Sequence, residues 1–494
     1  MLMIAVLMLS CAASCGGSTP EAPDTQNPSQ ITESTTEETT DGRVMDNLSD
    51  EDFGGYTFRI QANIAGNATL WAFPEEQTGD LLNDAYYKRN QQVSERFNVI
   101  FEETYDGDGH SLRIIQANVM AGDDSYDLYQ LWDKTAIAAA ENDLIYSMYD
   151  LPDVDLTKPY WSDINEMLTI GGHQYFAVGD HDPVLLTGLC ALFVNKDMAE
   201  DLGIGKNTMY DLVRQGKWTT DVFFKYANSA ISDVNGNTKV DEDDIFGITL
   251  HRYNYFMDFF TVNGARIVDK DEEDMPYLSV IGNSRFADIY DMLLTNTFSD
   301  PALIWNTYNT DFTGAEYMAQ SDKFVRALMH FGNGRSLFCG VTLSRAPALR
   351  SYDLDYGILP YPKVEEVPAG TPYIGRIDSL VPYVVPKTNS DLHRTGVLLE
   401  ALACAGHNEV VPVYHELVLG AKETRDEDSI EMLNMMFENR TVELERIYWS
   451  TTVLERLCES NTQGFASQLA SIESELNSRL ETTIETFEKL ANQE

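Results

Sequence analysis

Tyr56-Thr57-Phe58-Arg59-Ile60-Gln61 reads as a strand, Asp80 to Phe97 as a helix that turns Leu81, Ala85, Val93 and Phe97 inward, and Val99-Ile100-Phe101 as the next strand. The cycle then repeats. Ser111 to Met120 is helical, Tyr126-Asp127-Leu128-Tyr129-Gln130-Leu131 is a strand, and Thr135 to Glu141 is an alanine-rich helix. Strands that alternate with helices of this length predict a parallel α/β sheet, which takes its ligands beyond the carboxyl ends of the strands. Trp132 and Asp133 fall at such an end.

Downstream, Asp150 to Ser162 is a proline-containing connection that ends in Pro159-Tyr160-Trp161, and Gln174-Tyr175-Phe176-Ala177-Val178 reads as a further strand. A second αβ segment follows. Leu192 to Lys196 begins it, Lys217-Trp218-Thr219-Thr220-Asp221 leads into a helix with Ser/Thr/Asp-type capping, and Phe246 to Leu250 returns to a strand. Phe331 to Phe338 and Asp355 to Pro362 read as helix end, strand and crossover. In the tail, Phe465, Leu469, Ile472, Leu476, Leu480, Ile484, Phe487 and Leu490 recur every three or four residues, forming the stripe of one long amphipathic helix. No internal repeat is present in the sequence.

Upstream of Tyr56 the composition changes. Residues 16–53 are Ser, Thr, Pro, Asp and Glu with few large apolar side chains, so burial cannot offset their ordering entropy and they read as a disordered tether. A flexible coil of this length reaches roughly 30–35 Å. Before it, Met1 to Leu9 are almost wholly apolar, too short for a bilayer span but the length of a signal-peptide core. Ala12-Ala13-Ser14-Cys15-Gly16-Gly17-Ser18 resembles a bacterial lipobox, in which Cys15 would receive the lipid and become the mature N-terminus. Leu9-Ser10-Cys11 fits that pattern less well, and an ordinary secretory signal is the alternative. No Lys or Arg precedes the apolar run.

Composition narrows the function. The 494 residues carry 34 Lys and Arg against 79 Asp and Glu, a formal charge of −45 that repels nucleic acid and anionic lipid alike. No later apolar run approaches a membrane span, which leaves the lipid as the membrane contact. A chain this long should divide into at least two lobes. Cys190, Cys339, Cys404 and Cys458 are scattered without CxxC spacing, so buried free thiols are expected instead of a disulfide framework. HExxH, GxSxG and GxxxxGK[ST] are all absent, and the eight histidines are dispersed.

Several short stretches together carry a family resemblance: Gly79-Asp80-Leu81-Leu82-Asn83-Asp84 with Arg89-Asn90, Tyr126 to Asp133, Val178-Gly179-Asp180, Phe193 to Asp197, Lys217-Trp218-Thr219, Gly334 to Phe338, Tyr356 to Pro360, and Val385-Pro386-Lys387-Thr388. In this order, the chain from about Gly54 to Tyr448 resembles the extracellular solute-binding proteins of ABC importers, in the carbohydrate-binding group that includes maltose-binding protein. The resemblance implies an α/β, two-lobed periplasmic-binding-protein-like fold with a hinge and C-terminal helices. Lobe one would be residues 54–172 completed by 371–411, lobe two residues 173–370, and residues 412–494 would pack across them. It further implies a monomer that takes a sugar or oligosaccharide in the inter-lobe cleft and passes it to ABC permease subunits. The setting would be the outer face of a cell membrane, as in a Gram-positive bacterium. A secreted glycoside-active enzyme and a glycan-binding surface or sensor protein remain as alternatives.

Two candidate sites follow. A sugar presents hydroxyl edges and apolar C–H faces, so its site needs flat aromatic platforms beside carboxylates and amides. Trp132 and Asp133 supply that pairing, and their place is similar to a sugar-contacting Trp and Asp of the family. Tyr160, Trp161 and Asp180 join them near the expected lobe crossing, and Trp305 from lobe two. Core or lobe packing is the other reading for these tryptophans. The second site is Asp233-Val234-Asn235-Gly236-Asn237-Thr238-Lys239-Val240-Asp241-Glu242-Asp243-Asp244, whose Asp233, Asn235, Asn237, Lys239 (by its carbonyl), Asp241 and Asp244 have calcium-loop spacing. Gly236 and Asp244 depart from the EF-hand pattern but match dockerin-type loops, which this segment resembles. A structural Ca2+ is therefore expected, against a metal-free acidic turn.

Overall fold

The computed structural model describes residues 43–62, 72–105, 112–181, 185, 187–250, 252–298, 303–306, 323–419, 426–449 and 464–491. Cys15, the lipobox, most of the tether and Cys458 lie outside them. The strands among the described residues are β1 Tyr56–Ala62, β2 Val99–Tyr105, β3 Leu128–Gln130, β4 Cys190–Asn195, β5 Phe246–Leu250, β6 Val268–Lys270, β7 Pro276–Leu278, β8 Ile304–Asn306, β9 Ser336–Thr342, β10 Tyr356–Leu359, β11 Gly375–Arg376, β12 Tyr383–Val384 and β13 Arg440–Thr441.

The first sheet has the order β12-β3-β1-β2, with β1, β2 and β3 parallel and β12 antiparallel to β3. It forms because Phe58 and Ile60 alternate with polar neighbours, and both are completely buried. The helix Leu81–Phe97 covers that face. Asp80 caps it by accepting from the Leu82 and Asn83 amides, and Asn98 stops it in the left-handed region at φ 50°. Beside it lies the helix Leu392–Glu409, far away in sequence, whose Val397, Leu398, Ala401 and Leu402 complete this core. The alanine-rich helix expected over Thr135 to Glu141 starts two residues early, as Asp133–Glu141 with Trp132 at its N-cap position.

The second sheet has the order β10-β4-β9-β5-β8. Every residue of β4, β5, β9 and β10 is buried, as expected for strands covered on both faces. Phe223 and Phe224 of the helix Thr220–Ala230 pack onto Phe259 and Phe338 in this core. Cys190, Cys339 and Cys404 are free and buried.

The lobes meet where the chain crosses between sheets. One crossing passes Ala177 and Leu189 and the other Ile377 and Tyr383. They run antiparallel, with bridges Ala177 to Tyr383 and Leu189 to Ile377. β13 adds a third pass by pairing with β11. The expected strand Gln174 to Val178 reduces to the single bridge at Ala177, because a crossing segment has a partner over only a short stretch.

The tail helix is Phe465–Ala491. Phe465, Ile472, Leu476 and Phe487 of the sequence stripe are buried, while Leu469, Leu480 and Leu490 are partly so. Phe465 packs on Phe286 and Tyr290 of lobe two, and Phe487 on Tyr175 near the crossing. No helix among the described residues is long and apolar enough to cross a membrane.

Residues 43–53, read from the sequence as the end of the tether, are packed against lobe one. Val44 is buried, and its peptide is held by the Asn408 side chain.

Candidate functional site

Strand register sets the direction of both sheets. The amide of Asp133, just past β3, donates to the Leu380 carbonyl of the crossing, so the carboxyl edge of sheet one faces that crossing. In sheet two, Cys190 at the start of β4 pairs with Thr342 at the end of β9, and β5 runs parallel to β9. The carboxyl edge of sheet two therefore faces the same crossing. Two α/β sheets that turn their carboxyl edges to one crevice form the geometry that binds ligands in open α/β folds.

Trp132 stands half-buried on this edge. Asp133 beside it is buried, and both its oxygens are engaged: Oδ1 accepts from the Lys134 amide at 2.8 Å and Oδ2 from the Leu380 amide at 3.0 Å. Burial raises its pKa, which the Arg446 charge opposes. Asp133 thus ties the first turn of a lobe-one helix to the crossing strand.

Tyr160, Trp161 and Asp180 form a different group. Tyr160 and Trp161 are buried, and both donate to Glu400 of the helix Leu392–Glu409, at 2.5 and 2.8 Å. Asp155 adds a backbone amide at 3.2 Å. Burial lifts Glu400 to about 7 despite these donors. Asp180 lies 2.6 Å from His407 Nδ1, and its backbone amide donates to the Tyr160 carbonyl. These three residues therefore gather around Glu400 and the end of its helix. Trp305 lies in β8 opposite Thr249, and its side chain is outside the described residues.

Other groups on the edge carry no sequence motif. Gln61 near the end of β1 and Gln130 at the end of β3 are buried, with Gln61 Oε1 and Gln130 Nε2 lacking a hydrogen-bond partner. Glu103, near the end of β2, is pushed up to about 7 by burial, with Arg89 drawing it down. His181 in the crossing is buried between Trp161 and Tyr383, neither ring nitrogen has a hydrogen-bond partner, and desolvation depresses it to about 3. Unmet donors and acceptors beside a crevice are the groups a polar ligand can satisfy.

Beneath the edge lies a charged knot. Arg376 is fully buried and donates to Asp258 at 2.5 Å, to Asp378 at 3.2 Å and to the Cys190 sulfur at 3.2 Å. Arg446 reaches Asp378 at 2.9 Å. Burial holds Asp258 up to about 6 although Arg376 lies against it. The knot joins a lobe-two helix, the crossing and the C-terminal segment.

The 233–244 loop is self-wound. Asp233 accepts from the Gly236 and Thr238 amides, Asn235 from Asn237, Asn237 from Lys239, and Asp244 from Val234 and Asp241. The amides of Asn235 and Asn237 converge on Asp241. Among the described residues, no group of three or more His, Cys, Asp or Glu side chains is placed to hold a metal ion.

These two lobes and their crossing can be set beside solved structures. An ABC substrate-binding protein from Listeria monocytogenes, in complex with cycloalternan, matches over 86% of this chain and 98% of its own, with a TM-score of 0.54 and 12% identity. The fold is that of ABC substrate-binding proteins. UgpB from Mycobacterium tuberculosis, in complex with glycerophosphocholine, matches over 87% and 99%, with a TM-score of 0.56 and 14% identity. The GacH receptor of Streptomyces glaucescens, solved with acarbose, matches over 88% and 98%, with a TM-score of 0.51 and 12% identity. No family model matches the sequence, and no curated protein does. Within that fold, the carboxyl edges of both sheets of this chain face the crossing between its two lobes.

Proposed function

We propose that this chain is the substrate-binding component of an ABC importer, that it captures a sugar or oligosaccharide between its lobes, and that it passes the ligand to membrane permease subunits. The observation that carries this reading is the convergence of two carboxyl sheet edges on one crossing, with Trp132 half-buried on the rim and Gln61 Oε1 and Gln130 Nε2 unmet at the ends of their strands. A flat indole with amides at strand ends suits a ring that has an apolar face and hydroxyl edges. Binding without turnover is the activity this arrangement supports. Two of the structures with this fold are complexed with sugar-type compounds by name, cycloalternan and acarbose, and a third with glycerophosphocholine. Lipidation at Cys15 would hold the protein, a monomer, on the outer face of the membrane. The 233–244 loop would hold a structural Ca2+, since hard oxygen ligands at this spacing suit that ion.

The test is a thermal-shift and calorimetric screen against mono- and oligosaccharides, with glycerophosphocholine in parallel, because a ligand bound only by the folded state raises its melting temperature. A sugar that shifts the melting temperature and is recovered unchanged supports the proposal. A shift by glycerophosphocholine alone reassigns the ligand, and release of sugar fragments makes the protein an enzyme.

A further inference from the structure

Residues 43–53 occupy the groove between the helices Leu81–Phe97 and Leu392–Glu409. The Asn408 side chain reads the Val44 peptide twice, accepting from its amide at 3.1 Å and donating to its carbonyl at 2.9 Å. Cys404 Sγ also donates to that carbonyl, and Arg43 pairs with Glu409 at 2.8 Å. Farther along, Arg96 binds Asp46 at 2.6 Å, Asp50 at 3.1 Å and the Leu48 carbonyl at 2.8 Å. The segment ends with the Phe53 amide on the Phe97 carbonyl and the two rings stacked. Each of these partners belongs to lobe one. Phe97 precedes β2, whose first residue pairs with the first residue of β1, so the fastening ends at the amino edge of sheet one, opposite the crevice.

One contact differs from the rest. His393 lies between two carboxylates, with Nδ1 2.6 Å from Asp153 and Nε2 2.9 Å from Glu51 of the segment. Neutral imidazole has one N–H and can satisfy only one of them; both nitrogens donate only in the imidazolium. The charged groups around it are Glu51 on the segment, Asp153 on the connection, and Asp391 and Arg394 on its own helix. Asp391 already binds Arg394 at 2.9 Å.

We propose that residues 43–53 are a strap fastened along lobe one, and that the His393 imidazolium is its catch, holding at weakly acidic pH and loosening as pH rises. Glu51 and Asp153 raise the His393 pKa above its ordinary value. Its contribution is therefore complete below the unfolded value and is lost as pH rises through the folded one.

Hydrogen exchange of the full chain, read at the Val44 and Phe53 amides and corrected for the intrinsic rate, tests this at about pH 6 and about pH 9. In the wild type, Phe53 protection should fall about tenfold at the higher pH while β1 is unchanged. His393→Gln and, independently, Glu51→Gln should give the low protection at both pH values. Asn408→Ala should strip protection from Val44 while Phe53 still responds to pH. His393 is 46% exposed at its side chain, so its replacement should leave the fold intact. Free exchange of the segment at about pH 6 would overturn the strap, and an unchanged pH response in both the His393→Gln and Glu51→Gln proteins would overturn the catch.

Discussion

Two regions of this molecule are built from carboxylates and behave as opposites. In the knot at the crossing, Asp258 is buried against Arg376, which also holds the partly buried Asp378. In the 233–244 loop, Asp233, Asn235 and Asn237 are exposed and their side-chain oxygens accept from the backbone of their own turn. A buried charge that loses its partner keeps its desolvation cost, whereas an exposed one exchanges its partner for water. The crossing should therefore be sensitive to single changes and the loop tolerant of them.

The sharpest break of that contrast is Arg376→Met, which strands Asp258 and should cost about 3–5 kcal/mol in denaturant unfolding. A cost near that of a surface substitution would mean that the crossing is solvated and the contrast false. On the rim of the same region, Trp132→Ala should lose about 2 kcal/mol of ligand affinity by calorimetry with little change in the ligand-free melting temperature. If the ligand-free protein collapses instead, Trp132 belongs with the interior.

The pH response comes next. Glu443, Glu400 and Glu103 are raised by burial to about 7 from an ordinary 4.5. A raised acid contributes fully below its unfolded value and loses that contribution as pH climbs through the folded one, so stability should fall between about pH 5 and about pH 8. His181 and His330, both lowered to about 3, pull the other way below their ordinary 6.5. The melting temperature should drop by about 3 °C or more from about pH 6 to about pH 8, and Glu443→Gln should flatten that slope. The smallest effect is expected in the loop: without metal, Asp233→Ala should cost about 1 kcal/mol or less. If calcium then raises the melting temperature of wild type but not of Asp233→Ala, the loop binds it; equal curves for all four samples leave an acidic turn.

What could be read from the sequence was local. The strand, helix and strand of residues 56–101 carry their pattern in neighbouring residues, and so does the stripe from Phe465 to Leu490. The crossing could not be read this way, because Arg376 meets Asp258 118 positions away and Cys190 186 positions away. Tyr160 and Trp161 show why aromatic residues mislead. Their place beside a lobe crossing suggested sugar platforms, yet a single carboxylate some 240 residues on, Glu400, receives both their polar hydrogens inside lobe one. Residues 43–53 looked like tether because their own apolar content is small; the side chain that holds Val44 is Asn408.

The tail helix has a mechanical meaning of its own. At about 1.5 Å per residue, its 27 residues make a rod of about 40 Å. One end is clasped by Phe286 and Tyr290 of lobe two; the other lies along Tyr175 and the helix Asp133–Glu141 of lobe one. Ile472 and Phe487 are buried along this splint, so shortening either to Ala should loosen its grip on one of the two bodies it joins.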